Sequence, residues 1–497
     1  MNILFKSKDE ISDSELKIGM RSVVMDGVMS HLMGVLTGGV FLVAIALKLG
    51  ATNFQIGLLA AIPPLMQLVQ LPAVFLIEKL HSRKTVAVYS ALISRFAFLL
   101  VALSPLLFPP SIGLLILIFA VLFQSGFGGI GGCAWNSWMR DLIPENQMGS
   151  FFSNRLRIAT FLGILVSLLA SILIDFWKVH FPSYEIYAYS GLFGAGFILG
   201  MIGILYLSKT PEVKMIPQKT EFIKLLSQPF KDVNFRRLML FLGSWSFAVN
   251  LAAPFFTVYM LSRIGLSMSM VVILSIVSQA FNFMFLSLWG KWSDKFSNKS
   301  VLAVSGPLFI FSILGWTFTT MPEKYFLTFP ILIAIHIVMG IATAGVGIAS
   351  GNIGLKLAPK GQATAYLATN ALVNSFAAGI APILGGIFAD FFAARKLSLV
   401  INWTSPSREL AIQAFSLRHW DFFFGLAFLI GLYSLHRLTM VKEEGEVDDE
   451  VVRAEFIAAI KRPIRSLSSG AGIFQVISYP YFFIKKGIKS MKRVVEK

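Results

Sequence analysis

Ionisable residues inside long apolar stretches are the groups of this sequence with the clearest chemistry. Asp26 lies in one such stretch, where a carboxylate can take up a proton on one side of a barrier and release it on the other as its surroundings change. His31 follows five positions later, and His336 lies in a later stretch. An imidazole can bind a ligand or carry a proton near neutral pH. We predict that these three residues belong to a pathway for protons or for a solute.

Two arginines in or beside these stretches extend the candidate pathway. Arg95 is flanked by apolar residues and must find an acid or backbone carbonyls, and Asp26 is one partner it can reach. A structural pairing is the first interpretation for Arg95, and a place in the pathway is the alternative. Arg157 can attract an anionic solute, although basic residues beside an apolar stretch more often mark the cytoplasmic side. Asp26 can also pair statically with Arg140, Arg155 or Arg157.

Side-chain amides inside the apolar stretches complete the set of candidate pathway residues. Amides in such positions often join neighbouring helices through hydrogen bonds, and we expect a few of them to contact cargo. The candidates are Asn250, Gln279, Asn282 and Asn374. The one cysteine, Cys133, excludes an internal disulfide and a cysteine-built metal site, and no paired His–Glu metal motif or nucleophile elbow occurs. We therefore predict no metal, no cofactor and no enzymatic activity.

Membrane-spanning helices must position these residues. The chain has 497 residues, of which 56% are hydrophobic and 14% charged, and its mean hydropathy is +0.73. Its apolar runs are long and do not alternate with polar residues, which favours helices over barrel strands. We predict an all-α membrane protein of twelve spans. They lie near residues 21–47, 54–77, 85–107, 112–137, 154–176, 185–208, 237–262, 267–290, 300–320, 326–352, 364–392 and 419–437.

The distribution of basic residues predicts the orientation of these spans. The even-numbered connections hold 18 Lys and Arg residues, and the odd-numbered connections hold 8. By the positive-inside rule both termini lie in the cytoplasm, and we predict that the membrane is the plasma membrane. The loop 393–418 is discordant, and its amphipathic stretch with Trp403 fits the outer interface. Because loops account for the net charge of +17, we expect lipid and not nucleic acid as the partner.

An internal repeat divides the twelve spans into two halves. Glu78 and Asp294 are 216 residues apart and each precedes a lysine, while Asp175 and Asp390 are 215 apart and each precedes a phenylalanine. The offset covers six spans, so the halves have the same orientation, as in parallel-repeat transporters. The predicted organisation is an N-terminal cytoplasmic segment, a six-helix bundle, a cytoplasmic linker, a second six-helix bundle and a cytoplasmic tail. Their bounds are 1–20, 21–208, 209–236, 237–438 and 439–497.

The connection after the eighth span carries a family signature. The run from Gly290 to Lys299, with an acid four residues after the glycine and basic residues following, resembles the cytoplasmic loop of the major facilitator superfamily. The first-half copy is degraded but keeps an acid and a basic end. The resemblance implies alternating access and a cytoplasmic clamp. The implied gating residues are Glu78 and Arg83 in the first half and Gly290, Asp294, Lys295 and Lys299 in the second.

The tail and the absence of an ATP-binding domain complete the functional prediction. From Arg453 onward basic and apolar residues interleave, which is typical of amphipathic helices on anionic lipid. We predict a secondary transporter of an unidentified small solute that is coupled to protons. A non-transporting membrane scaffold is one alternative. A drug/proton efflux antiporter is another, because the sequence from Pro382 to Gly386 resembles a motif of such proteins.

Overall fold

The fold is a bundle of long helices with one hairpin. The computed structural model describes residues 5, 7–8, 11–215, 227–320, 324–359, 362–405 and 408–443. Within these ranges twelve helices are long and apolar enough to cross a membrane, which confirms the predicted spans. Spans 1 to 12 are Asp13–Lys48, Asn53–Leu80, Arg83–Leu107, Pro110–Leu142, Glu145–His180, Pro182–Lys209, Val233–Arg263, Met268–Lys295, Asn298–Phe318, Thr328–Leu357, Ala363–Phe392 and Trp420–Thr439. The predicted tail, 439–497, falls outside the described residues beyond position 443.

Span 1 begins eight residues earlier than the hydropathy pattern predicts. The Ser12 side chain accepts a hydrogen bond from the backbone N–H of Glu15, and the Glu15 side chain accepts one from the N–H of Ser12. This capping box satisfies free N–H groups at the start of the helix, and Asp13 adds a favourable charge there. The helix therefore extends into the polar segment that we expected to precede it.

Two of the spans are interrupted. Span 1 breaks between Asp13–Thr37 and Gly39–Lys48, where Gly39 has a φ of +51°, a conformation that favours glycine. Span 2 is helical over Asn53–Met66 and Gln70–Leu80, with a 3₁₀ turn over Gln67–Val69 that follows Pro63 and Pro64.

The packing of the spans follows the sequence repeat. Span 1 packs against spans 5 and 6, and span 3 against spans 4 and 6; span 7 packs against spans 11 and 12, and span 9 against spans 10 and 12. Contacts between the halves join span 2 to span 11 and span 5 to span 8. We call the face that holds the start of span 1 and the end of span 12 the terminal face, and the other the opposite face.

A β-hairpin on the opposite face is an addition that the search for spans did not predict. Strands β1 (Lys396–Ser405) and β2 (Arg408–Arg418) pair antiparallel between spans 11 and 12. The stretch around residue 397 alternates apolar and polar residues, and this period of two is the pattern of a strand. A search for 20-residue apolar runs does not detect it.

Candidate functional site

A buried ion pair joins three helices of the N-terminal half. Asp26 on span 1 and Arg95 on span 3 are 4% and 5% exposed, and Arg95 Nη2 lies 3.3 Å from Asp26 Oδ1. Arg95 also donates to Ser30 Oγ at 2.7 Å and to the backbone carbonyl of Gly200 on span 6. The Ser30 hydroxyl donates to Asp26 Oδ1 at 3.2 Å. Asp26 thus has the partner that the sequence suggested, and the pair links spans 1, 3 and 6.

A second arginine approaches span 1 beside this pair. Arg155 Nε on span 5 donates to the Val23 carbonyl at 3.3 Å, and its guanidinium lies 4.9 Å from the centre of the Trp135 ring. A Cβ atom at Gly27 would collide with Arg155, so the glycine admits the arginine. Arg157 is exposed and donates to Asn154 Oδ1 at 2.7 Å. Of the two neighbouring arginines, Arg155 is therefore the one packed against the segment that holds Asp26.

His31 lies in a small cavity where the two halves meet. The cavity has a volume of about 200 Å³ and is lined by spans 1, 5 and 8 beside the break in span 1. Gln279 of span 8 shares it with His31. Its remaining polar side chains are hydroxyls, those of Thr160, Ser167 and Ser275. This cavity can present hydrogen-bond donors and acceptors to a small polar solute, with no carboxylate among its lining residues.

The amides of the C-terminal half divide into bonded and unsatisfied groups. Asn250 donates to the Ser246 carbonyl at 2.8 Å, and Asn282 on span 8 donates to Thr343 Oγ1 on span 10 at 3.0 Å. On span 11, Asn374 Oδ1 is buried and has no hydrogen-bond partner among the described residues. The same holds for Asn370 Oδ1, one helical turn earlier. Buried acceptors are costly when unpaired. These two amides are therefore places where a solute with N–H or O–H groups gains hydrogen bonds.

His336 lies away from the space between the halves. It is 6% exposed, its Nδ1 is 2.7 Å from the Leu332 carbonyl oxygen, and its ring packs edge-on against Trp316 at 5.6 Å. Trp316 in turn stacks on Phe256 at 4.5 Å. The predicted pathway role of His336 stays a prediction, and its surroundings favour a packing role.

Two carboxylates join the halves on the opposite face. Asp175 at the end of span 5 accepts hydrogen bonds from the backbone N–H groups of Met268 and Ser269, both at 2.8 Å, at the start of span 8. Asp390 at the end of span 11 accepts one from the N–H of Phe54 at 3.0 Å and one from Asn53 Nδ2 at 2.8 Å, at the start of span 2. Each acid caps a helix of the other half. The pair of residues that marked the repeat in sequence is therefore a symmetric clamp.

Close helix packing reinforces this clamp. A Cβ atom at Gly57 would collide with the carbonyl oxygen of Pro382, and one at Gly386 would collide with the carbonyl oxygen of Asn53. A Cβ atom at Gly385 would lie 2.7 Å from the Leu251 carbonyl oxygen on span 7. The proline–glycine sequence that suggested an antiporter thus serves contact between spans 2, 7 and 11.

On the terminal face, Glu212 organises the start of span 3. It is 1% exposed, and its carboxylate accepts hydrogen bonds from Ser82 Oγ at 2.9 Å and from the backbone N–H groups of Arg83 and Lys84. The Arg83 guanidinium, also 1% exposed, pairs with Asp141 of span 4. Arg83 was predicted as a gating residue, and the structure places it in a buried charge cluster.

Glu443 likewise accepts hydrogen bonds at the start of span 9. It is 5% exposed and accepts from the backbone N–H of Lys299 at 2.7 Å and from Asn298 Nδ2 at 2.9 Å, while Lys356 Nζ of span 10 lies 3.0 Å away. Burial raises the pKa of the Glu443 carboxyl, but the hydrogen bonds from Lys299, Lys356 and Asn298 outweigh it and hold that pKa below its ordinary value. Asn298 and Ser82 are 216 residues apart, so the two acids cap equivalent helices.

The predicted clamp acids on the terminal face are unengaged. Glu78 and Asp294 are exposed, and neither makes a hydrogen bond or ion pair with another described residue. Lys295 Nζ lies 4.6 Å from the Phe296 ring centre, and a Cβ atom at Gly290 would meet nothing nearer than 4.0 Å. The halves are thus joined on the opposite face, while the acids expected to close the terminal face stand apart.

Sequence reasoning missed four acids of this arrangement. Asp175 and Asp390 were found only as repeat markers, and Glu212 and Glu443 were not singled out because they lie in loops. Aligning the two halves beyond the spans supplies the missing signal, because each glutamate follows the last span of its half by three or four residues. No group of three or more His, Cys, Asp or Glu side chains suited to a metal occurs in the described part of the chain.

Comparisons with known proteins agree with this architecture. A family model described as Major Facilitator Superfamily matches residues 27–382. A mutant form of the nucleoside transporter NupG is similar in structure with a TM-score of 0.63 at 13% identity, over 85% of this chain and 100% of that one. A D-xylose-proton symporter has a TM-score of 0.58 at 13% identity, over 86% and 98%. A bacterial homologue of the iron transporter ferroportin in an inward-facing state has 0.57 at 12%, over 86% and 99%. No curated protein sequence matches the chain.

Proposed function

We propose, from the premise that this chain belongs to the major facilitator superfamily, that it moves a small polar solute by alternating access with proton coupling. Its family and fold make it a multi-pass membrane transporter and not an enzyme. The observation that carries the proposal is the buried Asp26–Arg95 pair. Its location is proposed to be the plasma membrane of a bacterium, with the terminal face in the cytoplasm.

The unequal engagement of the two faces supports alternating access. Asp175 and Asp390 bind helix ends across the halves on the opposite face, whereas Asp294 has no partner among the described residues on the terminal face. In the state that is open at the opposite face, we expect the caps made by Asp175 and Asp390 to break. Asp294 and Glu78 then form the contacts that close the terminal face. A rigid-body rocking of two similar bundles exchanges these contacts without unfolding either bundle.

The surroundings of Asp26 support proton coupling. A carboxylate that is 4% exposed and held by an arginine changes its proton affinity strongly when that arginine moves. Arg95 belongs to span 3 and also bonds to span 6, so coupling requires span 1 to shift against spans 3 and 6 within the N-terminal half while the bundles rock. Protonation of Asp26 then favours one arrangement of the N-terminal half, and deprotonation the other.

The polar groups between the halves indicate the class of solute. His31 and Gln279 line the cavity between spans 1, 5 and 8, and on span 11 the buried side-chain oxygens of Asn370 and Asn374 are without partners among the described residues and available to accept hydrogen bonds. No acid is among the residues that line that cavity, so an uncharged solute rich in N–H and O–H groups suits it better than a cation. Similar structures include transporters of a nucleoside and of D-xylose, which are solutes of different chemistry.

A transport assay in proteoliposomes tests the proposal. Solutes that raise the melting temperature of the purified protein are chosen first, and their uptake is measured with and without a pH gradient. We expect uptake to rise with the gradient, and Asp26→Asn to reduce the gradient-dependent part by about tenfold or more. Arg157→Gln is the matched control and retains it.

Each outcome of the assay has a definite meaning. Gradient-dependent uptake that survives Asp26→Asn contradicts the coupling role of this residue. A protein that binds solutes but never moves them favours a scaffold or receptor. Efflux of solute from loaded vesicles that is driven by inward proton flow indicates an efflux antiporter.

A further inference from the structure

The β-hairpin between spans 11 and 12 has two chemically different faces. Residues of a strand alternate between the faces of a ribbon, and directly paired residues share a face. The observed register pairs Leu397 with Leu417 and Ile401 with Ile412. Eight of the ten positions on this face hold large apolar residues, namely 397, 399, 401, 403, 410, 412, 415 and 417, and its polar members are Ser405 and Arg408 at the end away from the base. The other face holds Lys, Ser, Asn, Thr, Glu, Gln and Arg residues, with Val400 and Ala411 as its apolar members.

A bulge maintains this separation along the whole ribbon. The register shifts between Leu399 and Val400, whose partners are Phe415 and Gln413, so that Ala414 has no partner. One extra residue in a strand reverses which face the following residues occupy. In β2 the apolar residues fall at odd positions on one side of Ala414 and at even positions on the other, and the bulge brings both sets to one face. Sequence and backbone thus agree on an apolar face.

Two side chains of this face are more than half exposed. Leu397 is 55% exposed and Ile401 is 53% exposed. An isolated two-stranded ribbon is marginally stable in water. Eight large apolar residues on one face of such a ribbon require an apolar surface against which to pack.

The base of the ribbon lies at the end of the membrane-spanning helices. Span 11 ends at Phe392, four residues before β1, and β2 ends at Arg418, two residues before Trp420 opens span 12. The backbone N–H of His419 donates to the Arg395 carbonyl at 3.4 Å and closes the base. The ribbon therefore starts where hydrocarbon gives way to headgroups.

The charges at this base favour lipid over a second copy of the chain. Arg395, Lys396 and Arg418 follow one another across the base, where headgroup phosphates lie. Two ribbons packed face to face would bring two such basic sets together. Unpaired backbone groups at the ribbon edges also stay hydrated if the ribbon lies flat at the interface.

We propose that this hairpin is an interfacial membrane anchor that lies flat on the opposite-face leaflet. Its apolar face contacts acyl chains, its polar face contacts water, and the basic residues at its base contact headgroup phosphates. The anchor ties the ends of spans 11 and 12, both in the C-terminal half, to the plane of the membrane. The proposal depends on membrane insertion of the spans and is independent of solute and coupling.

Site-directed fluorescence tests the anchor. In a Cys133→Ser background, Ile401→Cys is labelled with an environment-sensitive dye, and Asn402→Cys on the other face is the matched control. Proteoliposomes contain lipids that carry a nitroxide quencher high on the acyl chain. We expect quenching at position 401 at least about threefold stronger than at position 402, together with a blue-shifted emission. We expect the stronger quenching and the blue shift at position 401 to persist when the ratio of lipid to protein is raised.

Other results overturn the anchor. Equal, weak quenching at both positions shows a ribbon in water. A blue shift at position 401 without lipid quenching shows coverage by protein, and loss of that shift on dilution with lipid identifies a second copy as the cover. Leu397→Cys with Ser398→Cys as its control repeats the measurement nearer the base, so that one poorly tolerated variant does not decide the outcome.

Discussion

The two halves share one packing scheme but fill equivalent places with different chemistry. Spans 1, 3 and 6 meet around the buried Asp26–Arg95 pair. Spans 7 and 9 hold buried Phe241 and Ile310 at the positions equivalent to Asp26 and Arg95, 215 residues on. Nearer the opposite face, spans 7, 9 and 12 meet around aromatic rings, with Phe256 stacked on Trp316 at 4.5 Å and Phe424 at 5.5 Å from Phe256. A duplicated fold thus keeps helix contacts and caps while its interior diverges. At these places the N-terminal half holds a buried ion pair, and the C-terminal half holds apolar side chains.

The largest effect is expected from breaking the charged centre. Arg95→Met leaves Asp26 buried without its partner, which costs about 3–5 kcal/mol of unfolding free energy. Unfolding in detergent, followed by tryptophan fluorescence, measures the loss. The double variant Asp26→Leu/Arg95→Met removes both charges, and we expect it to regain most of the stability while gradient-dependent transport stays absent.

The aromatic centre supplies the matched control for this comparison. Trp316→Leu removes packing in the C-terminal half and lowers stability, but the proton dependence of the remaining transport is unchanged. If Trp316→Leu alters proton dependence as much as Asp26→Asn does, the assignment of coupling to the N-terminal half is wrong.

A smaller effect separates the two terminal-face caps. Glu212→Gln weakens a contact with Arg83 in which both side chains are 1% exposed, and it costs about 3 kcal/mol. Glu443→Gln, whose partner Lys356 is 44% exposed, costs about 1.5 kcal/mol. Denaturant unfolding of both variants gives the difference. Equal costs would show that burial of the partner does not set the strength of these caps.

The cap at Glu443 also predicts a pH dependence. Its pKa is lowered in the folded protein, so the unfolded state binds its proton first as the pH falls. The stability it contributes is complete above the ordinary carboxyl pKa and disappears as the pH falls through the lowered folded value. The difference between the wild-type protein and Glu443→Gln is therefore expected to be full at pH 7 and to shrink below about pH 4.

The smallest effect is expected at the opposite-face clamp. Asp175→Asn and Asp390→Asn keep an acceptor oxygen but lose the charge, which weakens each cap by about 1 kcal/mol, or about fivefold in the opening equilibrium. Ser275→Cys in the Cys133→Ser background reports opening through its reaction with an impermeant thiol reagent added at the opposite face. Asp421→Asn, which weakens in the same way a hydrogen bond from the Arg418 N–H within one half, is the control and leaves the labelling rate unchanged.

The sequence predicts the helices well because the information that specifies them is local. A run of about 20 apolar residues is sufficient to define a span, and the period of 215–216 residues then defines two halves. The contact between Arg95 and Asp26 could also be anticipated, because a charge in lipid requires a partner. His336 shows the limit: its place among aromatic rings depends on how spans 9 and 10 rotate, and hydropathy does not encode that rotation.

The loops were predicted less well because their contacts join residues far apart in the chain. Glu212 binds the start of span 3 some 130 residues earlier, and Asp390 binds residues 336 and 337 positions away. Neither acid has a local pattern that distinguishes it from a solvated charge. The hairpin was missed for a different reason. Its strands are shorter than any span, and their apolar residues alternate with polar ones and do not form a continuous run.

Because Ala414 has no partner in the hairpin, the number of residues in β2 matters more for the two-sided character of the ribbon than the exact residues it contains. Exchanging one apolar residue for another in β2 leaves the two-sided character intact, whereas deleting a single residue between Arg408 and Phe415 inverts every position on one side of the deletion. The hairpin is thus tolerant of substitution and intolerant of odd changes in length. Insertions of epitope tags or reporter peptides succeed best between Ser405 and Arg408, where added length leaves the alternation of both strands unaltered.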